Sequence, residues 1–143
     1  MPQRATVTVM TDVETAVRTL YRALEDGLSG DRLLALMTDD VVTVEHPNAL
    51  RPSGGTADRE AMRVASTAGA QLLETQRYDV RDVIVSGDVA AVRCTWSAVV
   101  ARDAGPFRRG QRLRAHLAQF VTLRGGLVSR IETYDCHEVA VAD

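Results

Sequence analysis

The chain is 143 residues long, 45% apolar and 25% charged, with a formal net charge of −2. Those proportions describe one globular domain with a real core to bury, and they argue against disorder. They leave no electrostatic footprint for nucleic acid, and no apolar run approaches the ~20 residues of a membrane-crossing helix. The opening MPQRATVTVM lacks the apolar centre of a signal peptide, so the expected location is the cytoplasm. All 17 basic residues are arginine. Without lysine, a Schiff base with a carbonyl substrate or with pyridoxal phosphate is excluded. Neither of the glycine-rich nucleotide signatures, GxGxxG or the phosphate-binding loop, occurs. Cys94 and Cys136 lack CxxC spacing and read as two reduced thiols. No metal site is expected, because the three histidines and Asp135 show neither HxH nor HExxH spacing. The chemistry expected is therefore cofactor-free, or absent.

In chain order, residues 1–10 read as a loose arm, 11–138 as a single domain and 139–143 as a tail. Thr11-x-x-Glu14 is a capping box, and Val13, Val17, Leu20, Tyr21, Leu24 and Leu28 follow at helical spacing. Gly27 and Ser29-Gly30 stop that helix. Asp31 can cap a short second helix that runs through Leu33, Leu34, Leu36 and Met37. A strand from Val41 to His46 leads into a loop rich in Pro, Ser and Gly that ends at Gly55. A third helix is expected from about Ala57 to about Leu73.

From Gln76 the period changes to two, with strands near 77–86, 88–101, 111–123 and 126–138. Ser86-Gly87-Asp88 and Arg124-Gly125-Gly126 carry hairpin-turn chemistry, and Asp103–Gly110 is a longer connection. Helices first and an antiparallel meander afterwards is an α+β order.

The stretch with the clearest chemical potential is Thr38–Gly55. Pro47 biases His46 to extended angles and cannot donate to a ladder, so His46 falls where the strand stops. A strand end delivers its last side chain to the rim or interior of what the strand encloses. Histidine there suits proton transfer near neutrality.

Several stretches together resemble the nuclear-transport-factor-2-like superfamily, in its SnoaL-like and ketosteroid-isomerase-like branch. They are Tyr21-Arg-Ala-Leu24, Ala35-Leu-Met-Thr-Asp-Asp40, Val44-Glu-His-Pro47, Gly55-Thr-Ala57 and Phe120…Gly126…Ile131…Tyr134-Asp135. The resemblance spans roughly residues 13–137 and implies a cone: a curved antiparallel sheet wrapped by three helices around a pocket. It sets His46 where ketosteroid isomerases keep their aspartate base, and Tyr21 where they keep an oxyanion-holding tyrosine. Ala118 stands in place of their second oxyanion donor, which disfavours steroid-type enolisation. The epoxide-hydrolase pattern is half present, at Arg93, Asp135 and Asn48, with Thr95 where those enzymes have an acid.

In the register this likeness implies, one sheet face carries Ala91, Arg93, Thr95, Ser97, Arg114, His116, Ala118, Phe120, Ile131, Thr133, Asp135 and His137. The other carries Val92, Cys94, Trp96, Ala98, Leu117, Val121 and Tyr134. Two arrangements fit period-two geometry. Either the apolar series is core and the polar one faces water, or the polar series lines the pocket while the apolar face pairs with a second subunit. The resemblance favours the second, and a one-residue slip would turn every side chain over.

On that basis His46, Asp135, Arg93, His116 and Tyr21 are the expected catalytic residues. Asn48, Thr95, Ala118, Phe120, Ile131 and Thr133 are the expected substrate contacts. The implied function is cofactor-independent lyase, isomerase or cyclase chemistry on a small apolar polyketide- or terpenoid-like molecule, by a homodimer joined through the outer sheet face. The alternative is a non-catalytic module of the same fold that binds a ligand or dimerises.

Overall fold

The computed structural model describes residues 11–138. The arm expected at 1–10 and the tail at 139–143 lie outside the described residues. Helix α1 (Asp12–Glu25) starts as the capping box predicts, with the Thr11 hydroxyl accepting from the Glu14 N–H at 3.1 Å. The Glu14 carboxylate is taken instead by Arg18, one turn on, at 3.0 Å. The apolar stripe buries Val17, Leu20, Tyr21 and Ala23. Helix α2 is shorter than expected, Gly30–Leu34, and Ser29 rather than Asp31 holds its N-cap position, without a side-chain capping bond. Met37, expected in that helix, opens strand β1 (Met37–Glu45), where it pairs with Val128.

A three-residue strand the sequence reading did not foresee, β2 (Gly55–Ala57), pairs antiparallel with β1. Helix α3 (Arg59–Leu72) follows, its first turn capped by the Asp58 carboxylate on the Ala61 N–H at 2.9 Å. The meander comprises β3 (Leu73–Ser86), β4 (Val89–Val100), β5 (Arg112–Arg124) and β6 (Leu127–His137). Tight turns at Gly87 and at Gly125-Gly126 join it, all three glycines at positive φ.

The fold is α+β: three helices on a six-stranded sheet in the order β2-β1-β6-β5-β4-β3. The sheet is not wholly antiparallel as expected, since β1 runs parallel to β6. The chain returns to β1 only after α3 and the whole meander, so β6 arrives in the same direction as β1 and beside it. Register shifts in β1, β3 and β6 mark bulges, which bend a sheet and increase its twist.

The core settles which sheet face is inner. Val92, Cys94, Ala98, Leu117 and Val121 are buried, and all except Ala98 cluster with Leu20, Leu34 and Val41. Arg93, His116, Ala118 and Phe120 are exposed. On β4 and β5 the expected faces are therefore exchanged by one residue: the apolar series packs under the helices and the polar series faces outward. Burying arginine and histidine in place of this apolar series would leave charges without water, and that energetic difference fixes the register. On β6 the expectation stands, with Ile131, Thr133 and Asp135 on the inner face.

Candidate functional site

Between the helices and the inner sheet face lies a cavity of about 320 Å³. Leu20, Tyr21 and Leu24 of α1, Met62 and Ala65 of α3, and Thr43 and Glu45 of β1 form its walls, with Tyr78, Gln119, Ile131 and Thr133 of the meander. None of the α3 residues is buried, so this wall is the least packed. A second hollow of about 240 Å³ shares Glu45, Tyr78 and Gln119 with the first and is lined further by Trp96, Leu117, Asp135 and His137.

One polar chain crosses this apolar lining. The Tyr21 hydroxyl donates to Gln119 Oε1 at 2.7 Å, and Gln119 Nε2 donates to Thr133 Oγ1 at 3.0 Å. The Thr133 hydroxyl in turn donates to Asp135 Oδ1. Each link fixes the next: an amide oxygen that accepts leaves its NH₂ to donate, and a hydroxyl that accepts there turns its proton onward. The sequence of donors therefore ends on the Asp135 carboxylate.

Burial raises the Asp135 pKa above the ordinary carboxylate value and the Glu45 charge adds to this, while the Thr133 hydrogen bond and His137 oppose it. Burial likewise raises the phenols of Tyr21 and Tyr78, whose ring centroids are 5.0 Å apart. Both remain neutral hydrogen-bond donors. The Tyr21 proton is committed to Gln119, whereas the Tyr78 hydroxyl makes no hydrogen bond among the described residues and borders both hollows. Burial pushes the Cys94 thiol up to about 11, which removes it as a thiolate nucleophile.

Glu45 is the second carboxylate of the site. Asn48 Nδ2 donates to its Oε2 at 2.7 Å, and Arg51 Nη1 stands 3.7 Å from its Oε1. No group of three or more His, Cys, Asp or Glu side chains with metal-binding geometry occurs among the described residues.

The expected site residues divide between the two faces. Tyr21, Thr133 and Ile131 line the larger cavity and Asp135 the smaller hollow. Asn48 sits beside them as the hydrogen-bond partner of Glu45, not as a lining residue. His46 does not look into the cavity. The parallel pairing that brings Glu45 opposite Thr133 turns the next residue outward, where the His46 ring stacks on Tyr134 at 4.1 Å. Its Nε2 lies 3.8 Å from Glu132 Oε1.

Arg93 does not reach Asp135: it pairs with Asp82 across the outer face, its Nε at 2.7 Å. The half epoxide-hydrolase pattern is thus split between faces. His116 is also outside, 3.2 Å from Glu138. Thr95 pairs with His116 in the same outward series, Ala118 is exposed, and Phe120 stands 43% exposed beside Ile84.

Sequence reasoning missed Gln119, Glu45 and Tyr78. Gln119 had a readable signal. The series Leu113, Ala115, Leu117, Gln119, Val121, Leu123 is apolar at every position but one, and a lone amide there must have a buried partner.

The sheet, the helices over one face and the hollow between them define an α+β domain built around a cavity. The model of the SnoaL-like domain matches residues 17–131, and the chain belongs to that family. Its fold is nuclear-transport-factor-2-like, or ketosteroid-isomerase-like. Among curated proteins none matches.

Several solved structures share the fold. AclR of Streptomyces galilaeus, a candidate hydroxylase, superposes with a TM-score of 0.71 at 15% identity, over 89% of this chain and 76% of that one. IdmH of Streptomyces antibioticus, a candidate polyketide cyclase, gives 0.69 at 20% identity over 87% and 92%. A ketosteroid-isomerase-like protein of Catenulispora acidiphila, in complex with trimethylamine, gives 0.63 at 18% identity over 82% and 83%. At these identities the likeness is one of fold. No described helix is long and apolar enough to cross a membrane.

Proposed function

We propose that the chain is a cofactor-independent acid–base catalyst, a lyase, isomerase or cyclase. Its substrate is a small, mostly apolar molecule bearing a ketone, of the polyketide or terpenoid kind. The observation that carries this reading is the donor chain from Tyr21 through Gln119 and Thr133 to Asp135, set in an apolar hollow.

A carboxylate raised by burial is a better base than an exposed one. Asp135 accepts a proton from carbon next to the carbonyl and returns it at another position. Tyr78, neutral and uncommitted, donates to the oxygen on which negative charge develops. The Thr133 hydroxyl holds one Asp135 oxygen and leaves the other for the substrate. Fold relatives described as candidate polyketide cyclases agree with this substrate class. The outer face, where Ile84, Phe120 and Tyr134 are exposed, is the surface through which two copies pair.

Deuterium exchange into the α-carbon of 2-tetralone, followed by proton NMR, tests the reading without knowledge of the natural substrate. Wild type exchanges faster than buffer, and Asp135→Asn lowers that rate at least about 100-fold. Exchange at the buffer rate, or an unchanged rate in Asp135→Asn, contradicts it. A second reading, a binding module without chemistry, draws on the mutual satisfaction of Tyr21, Gln119 and Thr133. In that case 2-tetralone binds but does not exchange.

A further inference from the structure

Among the described residues one cation, Arg51, lines the cavity, and its placement is built. Asn48 ties down the loop that carries Arg51: its Oδ1 accepts from the Leu50 and Arg51 N–H groups, both at 3.1 Å. Arg51 O accepts from the N–H of Asn48 at 3.1 Å and from that of Gly54 at 2.9 Å. The Cα of Arg51 is therefore fixed by hydrogen bonds on both sides, although its side chain is half exposed.

Gly55 makes room for the head of that side chain. A Cβ built on Gly55 would stand 2.3 Å from Arg51 Nη2 and 2.7 Å from Cζ. Unlike Gly54, at φ +59°, Gly55 does not have a positive φ, so its backbone does not require glycine. Glycine inside a strand weakens it and marks a close approach. Here the approaching group is the Arg51 guanidinium, which packs on β2 at Gly55 and borders the apolar cavity.

Among the described residues that guanidinium donates no hydrogen bond, and its ion pair with Glu45 is a loose one. Its nearest carboxylate, Glu45, stands at 3.7 Å, beyond hydrogen-bond distance, and the other Glu45 oxygen is already held by Asn48. Five N–H donors in a planar fork at the rim of an apolar hollow match a carboxylate, which the fork takes bidentately.

From this we infer that Arg51 is the anion anchor of the cavity and that its ligand is an apolar acid: a hydrocarbon or polyketide body in the hollow, with one carboxylate on Arg51. The inference rests on the reading of the cavity as a small-molecule site, and it adds the charge of the molecule. It also orients the ligand, with the acid end at the β2 rim and the carbon body directed toward Gln119 and Tyr78.

Two probes of nearly equal shape and different charge test it: 2-naphthoate and 2-acetylnaphthalene, titrated calorimetrically into wild type, Arg51→Gln and Gly55→Ala. Wild type binds the naphthoate about tenfold more tightly than the ketone, the ratio expected of one partly solvated charge-assisted pair. Arg51→Gln loses that preference while its Kd for the ketone stays within about twofold of wild type. Gly55→Ala does the same, because its methyl displaces only the flexible end of Arg51. Equal affinities in wild type, or a preference that survives in Arg51→Gln, overturn the anchor and leave the cavity reading intact. Binding of neither probe overturns both.

Discussion

The two faces of this sheet carry opposite chemistry, and the face richer in ionisable groups is not the one that encloses the cavity. Outside, Arg93 meets Asp82, and Arg114 and His116 meet Glu138, in pairs that water screens, and such pairs contribute little. Inside, a few polar atoms interrupt an apolar wall. From Tyr21 through Gln119 and Thr133 these are matched donor to acceptor until the chain ends on Asp135, while the Tyr78 hydroxyl stands outside that chain. Charge density locates solvent. The proposed chemistry stands at the unmatched end of the buried hydrogen-bond chain.

Substitutions on either face sharpen or break that contrast. The largest effect is expected at Leu123, 5% exposed on the inner face. Leu123→Ala removes buried side chain and leaves a void, so urea unfolding should show a loss of about 2–5 kcal/mol. Asp135→Asn comes next, with its rate loss of at least about 100-fold, equivalent to about 2.7 kcal/mol of transition-state stabilisation.

The same variant has a signature in stability. Asp135 has its pKa raised in the folded state, so it binds protons more readily folded than unfolded. Its contribution to stability is fully present below the unfolded carboxylate pKa and is lost as pH rises through the raised value. Asp135→Asn should therefore melt at a higher temperature than wild type at pH 7. The difference should close as the pH of the melting experiment falls toward 4, and a gap of the opposite sign contradicts the assigned burial.

Gln119→Leu keeps the volume but strands the Tyr21 hydroxyl and the Thr133 oxygen. Denaturant unfolding should register about 1–3 kcal/mol, the cost of buried groups left without partners. The smallest effect belongs to the outer face. His116→Ala should lie within about 0.5 kcal/mol of wild type and leave 2-tetralone exchange unchanged.

Much of the fold was legible because its signals are local. The Thr11 cap, the stripe from Val13 to Leu24 and the glycines at 87, 125 and 126 act within a few residues of where they stand. What was misread depended on distant partners. Pro47 does end the strand, but which way His46 points is set by the pairing of β1 with β6, almost ninety positions later. Likewise no local feature says that Met37 abandons its helix to meet Val128. The inner face of β5 was readable from the burial pattern of its own residues. The likeness to known folds supplied a register one residue away, and the lone glutamine in an apolar series was the corrective. Asp135, Thr133 and Tyr21 face the hollows because on β6 and α1 the register of the likeness and the burial pattern coincide.

The most direct test of the central claim is a chemical-shift titration of the protein with 2-acetylnaphthalene, reading the Gln119 side-chain amide and the ring signals of His46 and His116 in one spectrum. The account predicts that the Gln119 NH₂ resonances move with saturable binding while both histidine rings stay where they were. Movement of the histidine signals with Gln119 unchanged would place the ligand on the outer face and contradict it.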